Sequence, residues 1–183
     1  MPPIPRSRWT AAQRKAAREL AATPRRGVFG PFVPALRSPE FMSRLQRLGE
    51  YVRYHCALGP RLTEFAILLT ARAWTQQFEW MVHAKAARAA GLPRAKIDAI
   101  AAGKRPDRLS ASERVVYDFF AELERTRSVS DATYARASAA LGERGVVDLV
   151  GVVGYYTTLA MLMNVARTPL PPGETPALRP LPP

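Results

Sequence analysis

The chain has 183 residues, 48% hydrophobic and 9% aromatic, enough to bury one sizeable core but not to build two full domains. Its 27 Lys and Arg against 15 Asp and Glu give a formal charge of +12, and its single cysteine, Cys56, excludes an intrachain disulfide, a cysteine-only metal site and a CxxC redox pair. More than half of the excess charge lies in residues 1–37, but the preference for Arg over Lys, with abundant Ala and Pro, is what GC-rich coding produces, and that reading is taken ahead of nucleic-acid binding.

The N-terminus carries Pro2, Pro3 and Pro5 and then arginine-rich sequence without an apolar stretch, so no secretory signal is expected and a reducing, cytoplasmic setting fits. Thr10 with Gln13 reads as a capping box that opens a helix over 11–22, ended by Pro24. The next stretch, 25–38, mixes Gly27, Gly30, Pro31 and Pro34 with Val28, Phe29, Phe32 and Val33; it is too apolar for a free linker and should lie across the core or a neighbouring subunit. Ser38 before Pro39 predicts a helix start, and Phe41, Leu45, Leu48 and Val52 mark an apolar stripe running to about residue 57.

After Gly59 and Pro60, the segment 61–74 is apolar nearly all round and predicts a helix buried on most faces. Thr75 is the expected cap of the following helix, which ends at Gly91 ahead of Pro93. A short helix over 93–102 follows, closed by Gly103. Ser110 with Glu113 forms a second capping box for a helix over 111–127, with an apolar stripe of Val115, Phe119, Phe120 and Leu123. Another helix over 131–141 should stop at Gly142.

The segment 144–166 is the most apolar part of the chain. Its uncharged run begins after Asp148 and meets Asn164, a little short of the roughly 20 residues a bilayer requires, so it is read as the central helix of a soluble bundle. Beyond Thr168, prolines at 169, 171, 172, 176, 180, 182 and 183 predict polyproline II or disorder. The expected organisation is therefore all-α: a basic arm over 1–37, a single helical domain over 38–167 and a proline-rich tail over 168–183.

Glu79 and His83, four residues apart on one predicted helix, share a face about one turn apart. A carboxylate beside an imidazole makes a proton carrier that works near neutral pH. The pair sits among Phe78, Trp80, Met81 and Val82, next to the very apolar helix that carries Glu64, where a charged residue needs a partner or a purpose. Arg72, on the same helix as Glu64, is the candidate partner of a substrate carboxylate, although a structural ion pair is the commoner role. Trp74, Phe78, Trp80, Tyr155, Tyr156 and Asn164 are candidate pocket walls, with core packing as the alternative. His55 and Cys56 read as packing or surface residues. With His55 and His83 the only histidines, neither metal nor organic cofactor is expected.

Glu64 is followed by eleven residues, then Gln76, Gln77, Phe78 and Glu79, then three residues and His83. This spacing is similar to that of the redox branch of the carboxymuconolactone decarboxylase and alkylhydroperoxidase D superfamily, with Gln76 and Glu79 in place of the two cysteines. Phe78-Glu79-Trp80 with His83, then Ala86, Ala87, Ala90, Gly91 and Leu92, resembles the segment of the cysteine-free, decarboxylase-like branch. The likeness runs from Phe41 to Arg167.

The resemblance implies a helical bundle of the alkylhydroperoxidase D type, with Glu64, Glu79 and His83 at the active-site positions and homo-oligomeric assembly as a dimer, trimer or hexamer. The implied activity is cofactor-independent acid-base chemistry, decarboxylation or proton transfer, on a small carboxylated or carbonyl substrate. Thiol-dependent peroxide reduction is the runner-up, for which Cys56 outside the motif does not qualify. A non-catalytic module that binds through its basic arm is the third reading. No membrane partner is expected.

Overall fold

The computed structural model describes residues 1–180, and within them the chain is all-helical. A short turn at Arg6–Arg8 precedes α1 (Ala11–Ala21), α2 (Phe32–Ala35), α3 (Pro39–Tyr54), α4 (Gly59–Ala73), α5 (Gln77–Ala89), α6 (Arg94–Ala101), α7 (Ala111–Thr126) and α8 (Asp131–Ala166). Both capping boxes form: Gln13 N donates to Thr10 Oγ1 at 3.2 Å, Glu113 N to Ser110 Oγ at 3.2 Å, and each side chain at the third position accepts from its cap's backbone. Gly142, at φ 69° and ψ 164°, breaks α8 where a stop is expected. Ser38 occupies the cap of α3 without a side-chain hydrogen bond, and Pro39 alone supplies the start signal.

The hub of the bundle is α4, not α8. Thr63 to Arg72 are all buried, and α4 touches α3, α5, α6, α7 and α8. The apolar α8 packs on α2, α3, α4 and α7 but keeps Val147, Val150, Met161 and Val165 exposed. It is long and apolar enough to cross a membrane by length and composition, and 56% of its most apolar window is buried against the other helices.

The apolar stripe expected on α3 is also displaced. Met42, Leu45, Gln46, Gly49 and Val52 face inward, while Phe41 and Leu48 are exposed. The cause is close packing at Gly49, where an added Cβ would stand 2.0 Å from Tyr155 Oη, so this position has to face α8.

The arm folds back on α3 and α8 and builds a small core separate from the main one. Leu20 of α1 and Phe32, Ala35 and Leu36 around α2 form a second cluster with Met42, and Ser43 Oγ donates to Glu19 at 2.6 Å. The tail forms no helix through residue 180, in line with its prolines, but it is anchored: Leu178 is buried and exchanges two hydrogen bonds with the Gln77 side chain, at 2.7 and 3.0 Å. The expectation for Pro182 and Pro183 lies outside the described residues.

One buried charge cluster staples α4, α6 and α7. Glu113 is fully buried and accepts from Lys96 Nζ, from Arg61 Nη2 at 2.8 Å and from its own cap, Ser110 N, at 2.8 Å. Burial alone would raise its pKa, but the hydrogen bonds from Lys96, Ser110 and Arg61 outweigh it and hold the carboxyl at about 2. A folded-state pKa below the unfolded one stabilises the fold above the ordinary carboxyl range, and that contribution is lost as pH falls toward 2. Glu113→Gln is therefore expected to cost about 3 kcal/mol in denaturant unfolding at neutral pH, because it leaves Lys96 buried without its counter-charge. The gap to wild type should shrink on acidification below about pH 4.5. A loss under ~1 kcal/mol, or one that does not vary with pH, contradicts this account.

Candidate active site

Helix α4 presents Glu64 toward α5, and α5 presents Glu79 and His83 on the turn facing back. The join between the two helices sets this geometry. Thr75, expected as the cap, instead takes a left-handed conformation at φ 46°, and Gln76 caps α5 by accepting from Phe78 N at 2.7 Å and Glu79 N at 3.3 Å. Gln76 is held in turn by Asn164, to which its Nε2 donates at 2.9 Å, while Asn164 Nδ2 donates to Trp74 O at 3.1 Å. Asn164 is thus an exposed brace between α8 and the α4–α5 turn, not a wall of the pocket.

His83 Nδ1 lies 2.7 Å from Glu64 Oε2, with both side chains buried. Arg53 Nε stands 3.7 Å from the other Glu64 oxygen. The Tyr156 ring meets the imidazole edge-on, with centroids 4.9 Å apart, and Tyr155 stacks edge-on against Tyr156 at 5.1 Å. Glu79 is 3% exposed, and both of its carboxyl oxygens are buried without a hydrogen-bond partner. The Tyr155 hydroxyl is likewise buried and unpartnered.

Desolvation dominates the electrostatics. Burial raises the Glu79 pKa well above the usual carboxyl value, which favours the neutral acid. It lowers the His83 pKa, although the hydrogen bond and charge of Glu64 pull the other way, and nearby Arg53 and Arg25 add to the lowering. Tyr155 is pushed up to about 12 by burial, and Tyr156 is raised too. These directions favour a neutral imidazole beside a neutral carboxyl, and the tautomer with its proton on Nδ1 would donate to Glu64 and leave Nε2 as an acceptor.

Beside this pair is a cavity of about 50 Å³ lined by Arg25, Arg53, Phe78, Glu79, His83, Tyr155 and Tyr156, and closed by Phe29, Pro31 and Phe32 of the arm. The closure is tight. Gly30, at φ +54°, sits so near Phe78 that an added Cβ would lie 2.5 Å from its ring.

The structure thus brings together Glu79, His83, Phe78, Tyr155 and Tyr156 around the cavity, with Glu64 behind His83. It does not bring Arg72, Trp74 or Trp80 there. Trp80 is core, and Arg72 lies on a different cavity between α4, α6 and α7. Trp74 lies at the end of α4 in the brace to Asn164. Cys56 contacts Thr63 at 3.3 Å and lines a separate groove, which Arg53 and Glu64 border from their other side. Sequence reasoning missed Arg25 and Arg53 as the cations of the site. Arg25 lies in an irregular stretch more than fifty residues before Glu79, and no local spacing connects them.

Because Glu64 opposes the desolvation of His83, removing its charge should leave burial less opposed. Glu64→Gln is expected to lower the His83 pKa further, read from imidazole nitrogen shifts in a pH titration. A rise would mean that Glu64 does not act on His83 as a charge.

Residues 39–122 match the model of the Carboxymuconolactone decarboxylase family. No curated protein matches the chain in sequence. The matched segment holds α3 to α6 and most of α7, and so contains Glu64, Glu79, His83 and Arg53, whereas Arg25, the arm cover and both tyrosines lie outside it. The all-helical fold and the residue spacing agree with this match, which assigns the segment 39–122 to the Carboxymuconolactone decarboxylase family and is consistent with the wider superfamily that includes alkylhydroperoxidase D.

Proposed function

We propose that the chain is an enzyme that moves a proton at a small carboxylated or carbonyl substrate, with decarboxylation as the reaction its family name suggests. The observation that carries this reading is two buried groups on one cavity, Glu79 without a polar partner and His83 paired to Glu64, where burial favours the neutral acid of the first and the neutral imidazole of the second. Such a pair supplies an acid and a base at the same pH.

In this reading His83 Nε2 takes a proton from substrate carbon or oxygen, and the Glu64 carboxylate stabilises the imidazolium that forms. Glu79 delivers its proton to the carbon that carries the electron pair after CO₂ departs, or to the developing enolate oxygen. Arg25 and Arg53 are the partners for a substrate carboxylate, the role expected of Arg72 from sequence. The cavity is far below the roughly 300 Å³ lower bound of ordinary small-molecule sites, so substrate entry requires the arm over 29–32 to move aside.

The test is CO₂ release, or exchange of substrate carbon-bound protons with solvent, across a panel of β-keto acids and carboxylated unsaturated lactones. His83→Ala and Glu79→Gln should each lower turnover at least about 100-fold while unfolding cooperatively, and Cys56→Ser should leave it unchanged. The acidic limb of the rate profile should fall below pH 6.5, because His83 must be neutral and its pKa is lowered. Activity that survives His83→Ala and is lost in Cys56→Ser would replace this reading with thiol chemistry.

The same reading includes self-association. The exposed Val147 and Val150 of α8 flank Asp148, to which the exposed Tyr51 of α3 donates through Oη at 2.9 Å, and Met161 and Val165 are further exposed apolar positions along α8. A second copy is the occupant that suits two neighbouring apolar helix faces. Light scattering at micromolar concentration is expected to give a mass at least twice 20.2 kDa, and a monomer mass would refute it.

A further inference from the structure

A second cavity, of about 240 Å³, opens between α4, α6 and α7 and shares no lining residue with the His83 cavity. Its walls are apolar where Leu69, Ala73, Ile100 and Phe120 meet, and Arg72 enters from the last turn of α4. Arg72 is 4% exposed. Its Nε, Nη1 and Nη2 are all buried without a hydrogen-bond partner, and among the described residues it forms no ion pair.

A buried guanidinium in this state is costly, and it cannot escape by losing its proton as a buried lysine does. The protein supplies no anion to it. Glu124, the one carboxylate on the cavity wall, is already 3.1 Å from Arg127 Nη1, while Lys104 and Arg125 add two further cations that form no ion pair among the described residues. Three cations thus line an apolar cavity with one acid, and that acid is engaged elsewhere.

We infer that this cavity binds a small organic monocarboxylate, its carboxylate on Arg72 and its apolar body against Leu69, Ile100 and Phe120. A planar guanidinium with several free N–H donors matches a carboxylate in two parallel hydrogen bonds. The apolar walls would strip water from a phosphate without replacing it, which favours a singly charged head on a hydrophobic body. Lys104 and Arg125 draw the anion to the mouth, so affinity falls as salt rises.

Isothermal titration with sodium benzoate as the probe and benzamide as its uncharged counterpart tests the site. Benzoate should bind the wild type and His83→Ala equally, benzamide should bind neither measurably, and Arg72→Met should weaken benzoate at least about tenfold. Met preserves much of the volume and removes an uncompensated charge, so this variant is expected to unfold as cooperatively as the wild type. Should it not fold, Lys104→Glu, an exposed change at the mouth, must weaken benzoate several-fold at low salt. Failure of benzoate to bind the wild type, equal binding to Arg72→Met, or loss of binding in His83→Ala alone would each overturn the inference.

Discussion

The short contact between Glu64 and His83 is the constraint around which the bundle is arranged. Glu64 sits on the most enclosed helix of the protein, where an unpaired carboxylate would be driven to neutralise or to unfold its surroundings. Pairing with His83 at 2.7 Å resolves that conflict only if α5 returns alongside α4 in one register. The left-handed Thr75, the Gln76 cap and the Asn164 brace are the devices that impose this register. The site and the fold are in this sense one structure, because the turn that joins the two helices also aims Glu79 and His83.

Three glutamates show how one residue type is put to different uses by its surroundings. Glu113 is as buried as any side chain in the protein, yet it accepts hydrogen bonds from two cations and a backbone amide and stays ionised. Glu79 is buried with no hydrogen-bond partner for its carboxyl, and that burial raises its pKa toward the neutral acid. Glu64 lies between these extremes, shared between His83 and Arg53. Partner count, more than burial, separates the carboxyl held low from the one held high.

The pocket is assembled only in part from the matched segment. Residues 39–122 provide Glu64, Glu79 and His83, but α8 lays Tyr155 and Tyr156 beside them, and the arm contributes Arg25 together with Phe29, Pro31 and Phe32. The matched helical segment thus carries Glu64, Glu79 and His83, and flanking elements border the cavity beside them. The arm is therefore more than a basic extension: it is packed on its own small core and forms one wall of the cavity.

Local signals in the sequence suffice to read the helices and the Glu79–His83 pair. Capping boxes at Thr10 and Ser110, the break at Gly142, the turn at Gly91 and the all-round apolar run of α4 are local signals, because capping, left-handed turns and helical periodicity act within a few residues. Glu79 and His83 were legible for the same reason, lying one helical turn apart. Long-range packing sets the rest: that α4 and not α8 is the hub, that Gln76 and not Thr75 caps α5, that Arg25 and Arg53 join the site, and that Arg72 faces another cavity. Residues far apart in sequence leave no periodic trace of meeting. Which face of an amphipathic helix turns inward, and which arginine meets which carboxylate, depends on the side chains of a neighbouring helix, as Gly49 beneath Tyr155 shows.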